Sequence, residues 1–445
     1  MTTCVLLLAT IRLAAPFSDG AVLQCERPVA VWGTAGAGER VTVRFGETAE
    51  SATADGAGRW KLRLPPMKAC SDGRTLRAEG TSGSDEAHDV LVGEVWFVSG
   101  QSNAVCPFWC TVAPRFRAQQ KGGLIAQYVD KPTVRFTDQP GEWKRMNPAN
   151  LVKKTTIESG PCKGSFSAMG TFFALKLEDV LRVPVGMIGE YINGSPIEPW
   201  IPPSGSHWRS CVARWTPYTI RGILWNQGDS NVKNATEYDG LLRRLYDGWC
   251  AAFEQQGLSF YFQEQHHGSS DCFELQLAQQ RFAASEPHAA LSAGNDMPCA
   301  KDVHGNEKET MARRLLVHAL RRDYGYAAVK DESPTFARWR VEGDRAVVTF
   351  DHAESLCIYN EAQTDYKAAF ELAGADGVWK PAEVVFKPLD NWASNGLIPG
   401  SNLTLRAEGV LDPKRVRYLH AGRGNVYNEV CLPLLAFEVS EPARF

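Results

Sequence analysis

The sequence has no long apolar run, no basic block and no cysteine–histidine metal pattern, and each absence removes a class of function. A membrane-spanning helix needs ~20 consecutive apolar residues, and no stretch approaches that. The short run Val5-Leu6-Leu7-Leu8-Ala9 has no basic segment before it and continues into Ile11-Arg12-Leu13. It reads as a first strand, with a trimmed signal peptide as the alternative. Lysine and arginine number 48 against 51 acidic residues, for a net charge of −3, and they are dispersed. Binding to nucleic acid through phosphate contacts is therefore not expected. The 12 cysteines are scattered, with no CxxC pair. Their even number permits disulfides, and buried free thiols are the other reading. Low-complexity segments and internal repeats are also missing.

What is present has three textures. A chain of 445 residues, 44% of them hydrophobic, is long enough for two or three domains with sizeable cores. Residues 10–92 alternate with period two in Val29-Ala30-Val31-Trp32, Arg40–Phe45 and Trp60–Leu64. Ala54-Asp55-Gly56 and Ser71-Asp72-Gly73 read as turns, and the pattern predicts an N-terminal β-sandwich module. Residues 93–326 alternate apolar strands (Val95–Ser99, Val185–Tyr191, Gly222–Trp225, Leu258–Phe262, Ala289–Ala293) with helices near 166–181, 237–256, 273–285 and 309–323. That order predicts an α/β domain with a parallel sheet and helices on both faces. Between 106 and 165, Pro107, Pro114, Pro132 and Pro140 argue for long loops. Residues 330–445 return to strand texture and form a C-terminal β module. The 13 tryptophans are expected mostly in the cores.

In open α/β sheets ligands bind beyond the carboxyl ends of the strands. Four polar clusters fall there: Gly100-Gln101-Ser102-Asn103, Asn193-Gly194-Ser195, Asn226-Gln227-Gly228-Asp229, and Asn295-Asp296 followed by Asp302-Val303-His304. A serine on a sharp turn after a buried strand can present its hydroxyl. His304 is the best base to take its proton. Asp302, two residues before it, is the preferred carboxylate to fix the imidazole tautomer, with Asp229 and Asp296 as alternatives. The Ser102 backbone N–H, Gly194 and the Gln227 amide are candidate donors to an oxyanion. Gln101, Asn103, Asn193 and Asp229 are placed to support the turn or contact substrate. His266-His267 is discounted as a metal pair, because adjacent strand-end residues point apart.

Gly100-Gln101-Ser102-Asn103, Trp225-Asn226-Gln227-Gly228-Asp229-Ser230-Asn231 and Asp302-Val303-His304-Gly305-Asn306-Glu307-Lys308 resemble the signature blocks of sialate O-acetylesterases. Phe17–Gln24, Asn193–Trp200, Val416–Tyr418 and Asn425–Asn428 extend the resemblance in the same order along nearly the whole chain. It implies an SGNH-hydrolase (GDSL-like), flavodoxin-like three-layer domain flanked by the two β modules. It implies Ser102 as nucleophile, His304 as base, Asp302 as its orienting acid, and an oxyanion hole from Ser102, Gly194 and Gln227. The reaction implied is removal of acetyl groups from sugar hydroxyls through an acetyl-serine, with no metal or cofactor. An acetylated carbohydrate is the expected partner, and a periplasmic or secreted location is suggested by the family. The chain departs from the family pattern at Ala104, Asp229, Gly305 and Ile192, which leaves every catalytic group in place and leaves the sugar open. The competing readings are a small-ester arylesterase of the same fold and a carbohydrate-binding protein with an inactive hydrolase domain.

Overall fold

The computed structural model describes residues 10–108, 128–151, 166–265, 272–297, 304, 307–359, 368–385 and 397–440. Their contacts divide the chain into two compact units, Met1–Asn226 with Arg243–Phe260, and Gln227–Leu242 with Tyr261–Phe445. The first is built around a mixed sheet and the second carries two antiparallel sheets, each with helices.

In the first unit the N-terminal strands follow their binary pattern. Arg40–Phe45 and Arg59–Leu64 alternate between outward and buried positions, as half-buried antiparallel strands do. Val29–Thr34 pairs antiparallel with Arg12–Leu13 on one side and Arg59–Leu64 on the other. Ser71-Asp72-Gly73 is not a turn: it lies in the strand Cys70–Gly80, whose pairing jumps from Cys70 to Arg74 across a bulge. The extra residues of a bulge bend a strand without ending it, so the Asp-Gly signal misleads at this point.

One long strand, Gly83–Gly100, organises the unit. Its first half pairs antiparallel with Cys70–Gly80. From Glu94 it pairs in parallel with Val185–Tyr191, and from Trp96 with Gly222–Asn226. Both partners are buried at every position, the signature of parallel strands covered on two faces. Lys131–Thr137 adds a further parallel strand and Lys144–Met146 an antiparallel edge, within a region expected to be loops. Pro132 is tolerated because it precedes Val134, where the parallel ladder begins.

Helix Ala168–Leu181 packs on this sheet with Gly170 between Phe166, Val98 and Met187, and Ser167 Oγ caps it by accepting the Gly170 N–H at 3.1 Å. Trp96, Trp200, Trp225 and Trp249 are fully buried. Trp225 meets Trp200 and Trp249 edge-on at 5.9 Å. Burial of large apolar side chains contributes roughly 1.5–3 kcal/mol apiece.

In the second unit Ala289–Ser292 and helices Phe273–Ser285 and Lys308–Arg322 precede two antiparallel sheets. Met311, Leu315, Leu316 and Ala319 are buried, as their helical spacing predicts. The larger sheet has seven strands, ordered Thr335–Glu342, Arg345–Asp351, Asn402–Ala407, Trp379–Val384, Phe370–Ala373, Arg415–Tyr418 and Phe437–Ser440. The smaller has Ser355–Ile358 between Leu397–Pro399 and Val426–Asn428. They share a core that includes Trp339, Phe350, Phe370, Tyr418 and Phe437.

Candidate active site

In the first unit the carboxyl ends of three parallel strands come level at one residue. Gly100 is in register with Tyr191 on one side and Asn226 on the other. Its φ is +134°, and a Cβ here would lie 2.0 Å from the Asn226 carbonyl oxygen. Glycine is needed for both reasons. The Gln101 N–H donates to that same carbonyl at 3.0 Å, and the chain then makes a single helical turn, Ser102–Val105. Gln101, Asn103, Ala104 and Val105 are buried, and Ser102 alone among them is not. The turn thus anchors itself with its neighbours and leaves Ser102 half-buried where they are buried. Beyond it, Cys106 accepts the Ala168 N–H at 2.8 Å, so the turn is tied to the start of a helix.

The adjacent loop is pinned at both ends. Ile192 N–H donates to Gly100 O at 3.1 Å, and Ser195 Oγ accepts the Trp200 indole N–H at 2.8 Å while donating to Pro196 O. Between them Asn193 is half-buried and Gly194 exposed. Gly194 has φ +63°, and nothing lies within 4 Å of where a Cβ would be. Its left-handed backbone, not crowding, calls for glycine.

Glu190, one residue before the strand ends, is a feature the sequence reading passed over. Its Oε1 accepts from Arg214 Nε at 3.0 Å and from the Trp215 indole at 2.6 Å. Burial pushes its carboxyl up to about 7, with Arg214 pulling the other way. At the opposite end of the same sheet Glu94 behaves differently. Burial also opposes its charge, but bidentate Arg221 at 2.8 and 2.9 Å, with Gln24 and Cys25, outweighs it and holds the carboxyl below its usual range. A carboxylate inside an otherwise apolar strand was the available signal for both.

In the second unit Gln227 is fully buried. Its Nε2 donates to Asn231 Oδ1 at 2.7 Å, and the Tyr238 hydroxyl lies 2.6 Å from its Oε1 and 2.8 Å from its carbonyl oxygen. These partners orient the amide. Asn231 and Tyr238 were not singled out from sequence, although Asn231 lies in the same motif block. Gly228 has φ 161°, which is extended backbone; what demands glycine is Gln265 Cγ, 2.4 Å from a would-be Cβ. Asp229 opens the turn Asp229–Glu237 and is half-buried.

His304 is exposed. Asp302, the preferred orienting acid, lies outside the described residues, as do Gly305 and His266-His267. Asp296, an alternative acid, is engaged: Arg314 clamps both its oxygens at 2.7 Å and donates again to Ala293 O. Glu264, at the end of the strand Ser259–Gln263, is fully buried, and burial pushes it up to about 7 although it accepts the Gly294 N–H at 3.0 Å. Among the described residues no group of three or more His, Cys, Asp or Glu is placed to hold a metal ion, and no helix is long and apolar enough to cross a membrane.

The family model for carbohydrate esterase, sialic acid-specific acetylesterase, matches residues 92–321, more than half of the chain. The sialate O-acetylesterase of Pongo abelii is 27% identical over 389 residues, covering 73% of each chain. That of Homo sapiens is 27% identical over 392 residues with the same coverage. Among solved structures, a carbohydrate acetylesterase from Xanthomonas citri superposes with a TM-score of 0.81 at 25% identity, over 97% of this chain and 100% of that one.

Proposed function

Because the chain belongs to the sialic acid-specific acetylesterase family of carbohydrate esterases, and is a carboxylic ester hydrolase, we propose that it removes acetyl groups from sugar hydroxyls by way of an acetyl-serine. Ser102 attacks the acetyl carbonyl while His304 takes its proton, and Asp302 orients the imidazole and stabilises its charged form. The Ser102 and Gly194 N–H groups and the Gln227 amide donate to the oxyanion of the tetrahedral intermediate. The sugar alcohol leaves with the proton from His304. Water then hydrolyses the acetyl-serine with His304 again as base. Gln101, Asn103, Asn193 and Asp229 support the turn or touch the sugar.

The observation that carries this reading is the strand-exit turn, where Ser102 alone escapes burial among five consecutive residues. The chemistry belongs to residues 93–326 as an SGNH hydrolase domain of flavodoxin-like, three-layer type, with β modules at 10–92 and 330–445. The substrate class is acetylated carbohydrate, of sialate or plant-glycan type.

Acetate release from O-acetylated sialic acid, acetylated xylo-oligosaccharides and p-nitrophenyl acetate tests it, with wild type beside Ser102→Ala. Release that disappears in the variant is expected. Release that survives would place the nucleophile elsewhere, and none from wild type on any ester would favour a binding protein.

A further inference from the structure

A groove of about 540 Å³ lies in the first unit, on the strands Val29–Thr34 and Arg59–Leu64. Its walls include Trp32, Thr34, Asp55, Arg59, Trp60 and Lys61, and none of these belongs to the machinery described above. Its volume is that of a small-ligand site.

Trp32 is half-buried. Phe17 and Tyr218 meet it edge-on, with ring centroids at 4.7 and 6.4 Å, so its plane is fixed before any ligand arrives. Fixed aromatic surface gives contact area at little entropic cost. Trp60 is buried, and its indole N–H has no acceptor among the described residues. A buried donor without a partner is uncommon, and this one lies behind the groove wall, closed to solvent. Thr34 is exposed, and its hydroxyl makes no hydrogen bond among the described residues.

The charges are already answered. Arg59 pairs with Asp55 at 3.0 Å, and Lys61 pairs with Glu254. Asp55 also accepts the backbone N–H groups of Ala57 and Arg59, both at 2.9 Å, so it is held in place by its own turn. A ligand with a net charge would gain little from paired, exposed groups. A neutral ligand can use them as hydrogen-bond donors and acceptors without disturbing the pairs. A rigid aromatic wall, an unengaged hydroxyl and compensated charges suit a neutral pyranose. Its C–H face desolvates against indole while its hydroxyls reach the rim.

The geometry points to a second, non-catalytic carbohydrate site at Trp32 that binds neutral pyranose units of a glycan. It needs no acetyl group and no turnover, so it stands apart from the reaction proposed for Ser102.

The test is tryptophan-fluorescence titration of the full chain carrying Ser102→Ala with unacetylated xylohexaose, and with sialyllactose as the charged comparator. Saturable binding of xylohexaose, weaker for sialyllactose, is expected. Adding Trp32→Ala should weaken it about tenfold, the scale of a lost aromatic contact. Wild-type protein carrying Trp32→Ala should hydrolyse p-nitrophenyl acetate normally. Because Trp32 also packs on Phe17 and Tyr218, Thr34→Ala serves as a variant with no such contacts and should weaken binding several-fold. No xylohexaose binding, or binding unchanged in both variants, would overturn the site. So would binding that favours sialyllactose.

Discussion

Two candidate functional segments, the Ser102 turn in the first unit and Gln227 in the second, are held by different means. Around Ser102 the backbone does the holding. Gly100 fits against the Asn226 carbonyl with no room for a Cβ, and Gln101 and Ile192 bond main chain to main chain. Around Gln227 side chains do it, through Asn231 and Tyr238. A backbone-built site fails abruptly when one atom is added. A site built from side chains loses orientation by degrees. The same contrast runs through the carboxylates: Glu94, with several donors on both oxygens, is held charged, whereas Glu190 and Glu264 are pushed up to about 7 by burial.

The sharpest way to test the comparison is at the base. His304→Ala removes an exposed side chain, so the fold should persist while turnover of p-nitrophenyl acetate falls by ~10⁴ or more. Circular dichroism beside the rate separates the two effects, and a near-normal rate would assign the base elsewhere. Next comes the amide: Gln227→Ala should lower kcat by ~10²–10³. Tyr238→Phe keeps the amide but loosens it and should cost less, about tenfold. Equal losses in the two would mean that the Tyr238 hydroxyl, not the amide, matters.

Glu264 offers a test by pH. Its folded value of about 7 lies above its ordinary 4.5. The unfolded chain therefore releases this proton first as pH rises. Stability tied to the proton is present below 4.5 and is lost as pH climbs through 7. Glu264→Gln mimics the protonated form. Urea melts should show the variant more stable than wild type at pH 8, by no more than about 3 kcal/mol. The gap should shrink towards pH 5, and a gap independent of pH would contradict burial as the cause. The smallest effect is expected at Gly194→Ala, where only the left-handed backbone resists. It should cost about 1–2 kcal/mol of stability, with a smaller loss of kcat than Gln227→Ala. No folded protein at all would mean that the loop is crowded rather than strained.

Much of this was legible in local pattern. The helix Phe273–Ser285 and the strand Val185–Tyr191 lie where their periodicity puts them, because those patterns need only neighbours a few residues away. Prolines dominate the surroundings of Lys131–Thr137 and mask its strand pattern, although Val134 and Phe136 alternate with Thr133, Arg135 and Thr137. Ser71-Asp72-Gly73 was misread because a bulge and a turn use the same residues.

The sequence by itself determined which polar groups follow which strands: serine after the first, Asn-Gly after the second, Gln-Gly after the third, and histidine last. It also carried the family, since those blocks occur in order. Tertiary structure alone decided that one strand, Gly83–Gly100, serves two kinds of pairing, that Asp296 is held by Arg314, and that Glu94 and Glu190 have opposite electrostatic fates. The physical reason is distance along the chain. Helical and strand periodicity act between near neighbours, but a carboxylate's charge depends on burial and partners, and the arginine that decides Glu94 lies 127 residues away.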